Sequence, residues 1–268
     1  MSDYVLYHFG IKGMKWGIRR YQNKDGSLTA AGRKHYAVDP GKEIITNRDG
    51  SQTIPRGFKF NRVGKSSIDI NQSGALYVSY GKQDAARYVK NLGPSLMGKL
   101  LGTAGEAVQH ISVKKNLKMA SDKQVAIETA KILQSNPKMF EAFKESIYSV
   151  ATTGDFTASV TEKHIQAALA NPSGKDGQKL AYGVSSFLGD PNYAEESTAI
   201  YKHFRDKGYD ALPDLHDRLS GTSTTAMIVI NPSKVEVTDV TTITKDVYKE
   251  GKAYVKSLEK LKVSDLIS

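Results

Sequence analysis

The chain has 268 residues, of which 39% are hydrophobic and 25% charged, with no cysteine and a net charge of +10. That length buries a real core and that composition is the one ordinary globular domains have, so bulk disorder is excluded. The missing cysteine removes disulfides, thiolate zinc sites and cysteine nucleophiles.

The charge is uneven along the sequence. Residues 1–36 carry seven Lys or Arg against two acids, leaving +5 in a short opening arm. A basic arm suits a polyanionic or acidic partner, although such runs are also found simply solvated. The turn Asp49-Gly50-Ser51 and the turn Ile54-Pro55-Arg56-Gly57 place the start of the globular body near residue 44. Residues 58–63 alternate apolar and polar side chains as a half-buried strand does, which sets Arg62 on the face of Phe58 and Phe60. Residues 74–79 read as a second strand, and 83–92 as a helix ended by Gly93-Pro94.

A section from 94 to 207 is mostly helical by its periodicity. One strand is expected in it, Ile111-Ser112-Val113-Lys114, running on toward Leu117 and Met119. Ser121 with Gln124 forms a capping-box pattern for a helix to about residue 134, and Asn136-Pro137 separates it from a helix over 138–150. A third helix runs from about 161 to Asn171-Pro172, and Ser173-Gly174-Lys175-Asp176-Gly177 is read as an exposed loop. In 193–207, Tyr193, Ser197, Ile200, Tyr201 and Phe204 form one stripe, with Gly208 as the left-handed cap. Strands return at 209–212, 226–230 and 235–242, and a helix over 245–262 closes the chain. Its stripe of Val247, Tyr254, Leu258 and Leu261 fits packing on its own domain, or on a partner helix. Strands at both ends with helices between predict an α+β fold in which early and late strands share a sheet. The aliphatic run 226–230 is far too short to cross a bilayer, and no membrane partner is expected.

Two resemblances follow from particular residues. The segment Tyr7-His8-Phe9-Gly10-Ile11-Lys12-Gly13-Met14-Lys15-Trp16-Gly17-Ile18-Arg19-Arg20-Tyr21 holds the single tryptophan between glycines and cations. It resembles a short N-terminal motif of tailed-bacteriophage proteins encoded among head and packaging genes. That resemblance implies a head-associated protein in the virion or host cytoplasm. Its arm, residues 1–43, would dock to capsid, portal or packaged DNA through Lys12, Lys15, Trp16, Arg19 and Arg20.

The second lies in the body. Phe60-Asn61-Arg62-Val63-Gly64, then Leu76-Tyr77-Val78-Ser79 and Asp84-Ala85-Ala86-Arg87-Tyr88, resemble the first half of the ADP-ribosyltransferase fold. Lys207-Gly208-Tyr209-Asp210-Ala211 with Asp214, Asp217 and the strand at 226–230 is similar to its closing half. The resemblance implies an ADP-ribosyltransferase-like domain over 44–243, with a helical insertion at about 94–207, followed by a C-terminal helix at 244–268. It implies NAD as a possible cofactor, with Arg62 on its phosphate or ribose and Tyr77 or Ser79 at the nicotinamide pocket. Host proteins would be the targets of an active enzyme.

The pattern departs from that family at one point. A glutamate is expected at the start of the late strand, and Thr224-Thr225-Ala226 stand there; Glu195, Glu196 and Glu236 are the nearest acids. A body of reduced activity is therefore expected, with an active NAD-dependent transferase as the alternative. Plainer roles also exist: Arg62 can pair with Asp210 or Asp214, Tyr77 can be sheet packing, and the Asp214–Arg218 loop can bond its own backbone. Six scattered histidines give no metal-ligand spacing, so no metal is expected. Neither a Walker-type phosphate loop nor a Gly-x-Ser-x-Gly element occurs.

Overall fold

The computed structural model describes residues 43–67, 74–93, 105–151 and 162–260. Along the chain run β1 (Ile45–Thr46), β2 (Gln52–Ile54), β3 (Lys59–Gly64), β4 (Leu76–Val78), α1 (Lys82–Leu92), β5 (Ala107–Val113) and β6 (Leu117–Met119). Next come α2 (Asp122–Ser135), α3 (Pro137–Ala151), α4 (Glu162–Ala170), α5 (Lys175–Leu188) and α6 (Ala194–Asp206). The chain ends with β7 (Ala211–Pro213), α7 (Leu215–Leu219), β8 (Met227–Val229), β9 (Val235–Thr242) and α8 (Lys245–Lys260).

The strands form two sheets, one ordered β1-β2-β6-β7-β8-β4 and one ordered β3-β5-β9. The β6–β7 pair is parallel and the other pairs are antiparallel, so the fold is α+β with a mixed sheet. Early and late strands do pair, β4 with β8 and β5 with β9. Strand alternation then builds the layers. Phe60, Ile111 and Val113 of the small sheet meet Leu76, Val78, Leu117, Met227 and Val229 of the large one in one core. The opposite face of the large sheet, through Leu212, Ile228 and Ile230, packs on α2 to α6. The opposite face of the small sheet, through Val63 and Val108, is covered by Val89 of α1 and by Val247 and Tyr248 of α8. The closing helix thus packs on its own domain.

Local chemistry fixes several boundaries. The Ser121 hydroxyl accepts from the Gln124 amide at 3.3 Å, and the Gln124 side chain accepts from the Ser121 amide at 2.8 Å, a complete capping box. Gly208 ends α6 at φ +82°, a conformation that a Cβ disfavours. In α6, Ser197, Ile200, Tyr201 and Phe204 are buried as their spacing predicts.

Two expectations are corrected. The single strand expected at 111–114 is two strands in different sheets, because Lys114, Lys115 and Asn116 turn the chain between β5 and β6. Asn116 stabilises that turn, its side-chain oxygen accepting from the Arg56 amide at 2.8 Å. Of the exposed loop expected at 173–177, Ser173 and Gly174 lie in a turn, whereas residues 175–177 open α5, where Gly177 is buried with its backbone against the Pro172 carbonyl.

Candidate nucleotide pocket

Among the described residues, the backbones of the two sheets pair at one pair of edge residues. Asn61 of β3 donates its amide to the Ser79 carbonyl at 2.7 Å, and Ser79 returns a bond to the Asn61 carbonyl at 3.0 Å. Beside this seam lies a cavity of about 170 Å³ lined by Arg62, Tyr77, Ser79, Tyr88, Asp214 and Asp217, among others. The strand residues expected to form a site are therefore brought together. Lys12, Lys15, Trp16, Arg19 and Arg20, expected to bind a partner, lie outside the described residues.

Each wall has its own origin. Arg62 stands opposite Gln109 in the β3–β5 register, and its guanidinium donates to Gln109 Oε1 at 3.3 Å. Gln109 is itself fixed by donating to the carbonyls of Lys65, at 2.9 Å, and Ser67. Tyr77 points into the helical layer, its hydroxyl 3.2 Å from that of Tyr201. Burial first, then the neighbouring Tyr201, hold the Tyr77 hydroxyl well above its usual range, so it stays protonated. Ser79 is 1% exposed, and its hydroxyl finds no hydrogen-bond partner among the described residues.

The acidic wall is what sequence reading under-weighted. Asp214 caps α7, its carboxylate accepting from the Asp217 amide at 3.3 Å. Asp217 in turn accepts from the Tyr88 hydroxyl and lies 3.4 Å from His216 Nδ1. Burial, then the Asp217 carboxylate, push Asp214 up to about 6. Burial pushes Asp217 up as well, but hydrogen bonds from His216 and Tyr88 outweigh it and leave that group below its usual value. The pair is thus split into one carboxyl that protonates readily and one that stays ionised.

This split has a measurable consequence. The folded chain binds the Asp214 proton more tightly than the unfolded one, so its contribution is present below about pH 4 and declines as pH rises through about 6. Asp214→Asn keeps a capping acceptor. It is expected to flatten that decline and to raise stability at about pH 8 by about 2 kcal/mol in urea melts. Identical pH profiles for the two chains would contradict the assignment.

The alternative pairing of Arg62 with Asp210 does not occur. Asp210 accepts from Lys234 Nζ at 2.7 Å, from the Asn231 side chain at 3.0 Å and from the Lys118 amide at 3.0 Å. Nor do the other acids of the sequence reading reach the cavity: Glu195 and Glu196 open α6 and Glu236 is exposed on β9. Thr224 and Thr225 are committed elsewhere, their amides donating to the buried Asp84 carboxylate at 3.1 and 2.9 Å.

Comparison with known proteins adds one family. A family of unknown function (DUF7211) matches residues 1–23, the stretch holding the Trp16 segment. No curated protein matches the chain, and no solved structure does.

Proposed function

We propose that the body is a nucleotide-binding domain of ADP-ribosyltransferase type, taking NAD, on a phage head-associated protein whose basic arm docks to the particle. The observation that carries the body's part is the meeting of Arg62, Tyr77 and Ser79, from two strands of different sheets, in one cavity with an orphan buried hydroxyl. The donor set fits part of such a ligand. Arg62 offers a planar cation for an oxygen-rich group, Ser79 offers a hydroxyl, Tyr77 offers the side of its ring, and Asp217 offers an ionised acceptor for sugar hydroxyls. NAD would supply an activated glycosidic bond; this chain's residues bind and orient it. Transfer is the less supported half of the reading. The expected late-strand carboxylate is missing, and the Thr224 and Thr225 hydroxyls in its place are turned to Asp84.

Titration calorimetry of the full chain with NAD tests the proposal. Arg62→Ala is expected to weaken binding by about tenfold, the loss of one charge-assisted contact. Absence of NAD binding, or an unchanged affinity in the variant, would overturn it. The arm's part is tested by mass spectrometry of purified virions, which should contain the protein.

A further inference from the structure

The chain passes between the two sheets twice at the same end of the molecule, from β2 to β3 through residues 55–58 and from β5 to β6 through residues 114–116. The first crossover turns at Gly57, with φ +82°, and closes with the Phe58 amide donating to the Pro55 carbonyl at 3.1 Å. A turn with that positive φ at its third position wants glycine there, and it leaves Arg56 at an exposed corner. The second crossover is Lys114-Lys115-Asn116, exposed throughout. Lys59, also exposed, opens β3 opposite Ser112 and so stands beside both.

Hydrogen bonds tie the two crossovers to each other. The Gly57 amide donates to the Val113 carbonyl at 2.7 Å, and the Val113 amide donates back to the Phe58 carbonyl at 3.0 Å. The Arg56 amide is held by the Asn116 side chain, and the Lys114 amide donates to the Lys234 carbonyl at 2.8 Å. Four cations therefore ride on backbone that is already ordered, which lowers the cost of binding.

None of Arg56, Lys59, Lys114 and Lys115 makes an ion pair with a described residue. The nearby acids are engaged or distant. Asp210 is taken by Lys234, and Asp49 lies 3.2 Å from Lys118 Nζ. Glu236 shares a cross-strand row with Lys59 through Ser112 but stands two strands away, roughly 10 Å.

The surroundings of these cations select the partner. The large hydrophobic side chains exposed among the described residues are Ile45, Leu92, Leu219 and Val240, all outside the two crossovers. A protein interface or a lipid surface would need an apolar centre, and this face has none among the described residues. Single-stranded nucleic acid needs rings on which bases stack. Phe58, the ring between the cations, is instead turned to Phe60 and Tyr80, with centroids 5.3 and 5.2 Å away. Fixed positive charge with neither an apolar centre nor a stacking platform suits the phosphate backbone of a duplex.

We infer that the two sheet crossovers and Lys59 form a docking face for double-stranded DNA, in which Arg56, Lys59, Lys114 and Lys115 contact phosphates without reading sequence. This face belongs to the body and is separate from the basic arm. It is also independent of the nucleotide reading proposed above.

The test is fluorescence anisotropy of a short labelled duplex titrated with the full chain at several salt concentrations. The chains compared are wild type and the fourfold variant Arg56→Ala, Lys59→Ala, Lys114→Ala and Lys115→Ala. Four lost phosphate contacts are expected to make the slope of log affinity against log salt shallower by about 3 to 4. The same difference is expected when Lys12, Lys15, Arg19 and Arg20 of the arm are all alanine in both chains, which separates the body's contacts from the arm's. Absence of duplex binding by wild type, an unchanged slope in the fourfold variant, or tighter binding of a single strand of equal length overturns the inference. Should the fourfold variant fail to fold, Lys114→Ala with Lys115→Ala decides: a slope shallower by about 2 supports the face, and an unchanged one overturns it.

Discussion

Asp84→Ala is expected to destabilise the fold by about 3 to 5 kcal/mol, read as a fall in the urea midpoint with the slope unchanged. Asp84 is 2% exposed in the first turn of α1. One of its oxygens accepts from the Ser223 hydroxyl at 2.7 Å, the Thr225 hydroxyl at 2.6 Å and the amides of Thr224 and Thr225. Arg87 stands 3.6 Å from the other oxygen. Alanine would strand these donors in a buried place at the entrance to β8, whose Met227, Ile228 and Val229 are fully buried between the layers. Asp84→Asn keeps the shape and loses the charge, so an intermediate loss is expected. A cost under about 1 kcal/mol for the alanine variant would mean that the 223–225 turn is held by something else.

Phe187→Ala is expected to cost about 3 to 5 kcal/mol, measured in the same way. The ring is fully buried near the end of α5, with its centroid 5.1 Å from the Tyr193 ring and 5.6 Å from the Phe143 ring. Truncation removes the transfer energy of the ring and leaves a void between three elements, α3, α5 and the start of α6, that cannot collapse together. Phe187→Leu, which fills part of that space, should recover about half of the loss. Equal costs for the two replacements would show that the neighbours repack freely.

That same helix explains what the sequence hid. The helices α2, α3 and α6 were legible because each carries a one-sided apolar stripe or a cap, as in the Ser121–Gln124 box. By contrast, α5 is polar only in its opening turns, at Lys175, Asp176, Gln178 and Lys179, and is buried nearly all round from Leu180 to Ser185 and again at Phe187 and Leu188, so its second half shows no polar face. It also contains Gly177, Gly183 and a Ser-Ser pair, which score poorly as helix formers. Gly183 is nonetheless apt, because a Cβ there would meet Ile147 at 2.8 Å, and its absence lets α3 and α5 close together. The cavity was half legible for a similar reason. Arg62, Tyr77 and Ser79 stand on strands whose alternation reveals their faces, whereas Tyr88 and the Asp214–Asp217 pair reach it from a helix and a one-turn cap whose placement depends on the tertiary fold.

The seam at Asn61 and Ser79 sets how the molecule can breathe. Among the described residues, those two backbone bonds are the whole main-chain tie between β3 and β4, while every other ladder stays inside its own sheet. Parting them breaks two hydrogen bonds and leaves both sheets' ladders intact, while Phe60 and Val78 beside them stay in the shared core, so the movement open to the seam is a local one along the rim of the crevice. Exchange of the Asn61 and Ser79 amides with deuterium is thus the natural clock for that opening, and a guest seated against Ser79 would slow it.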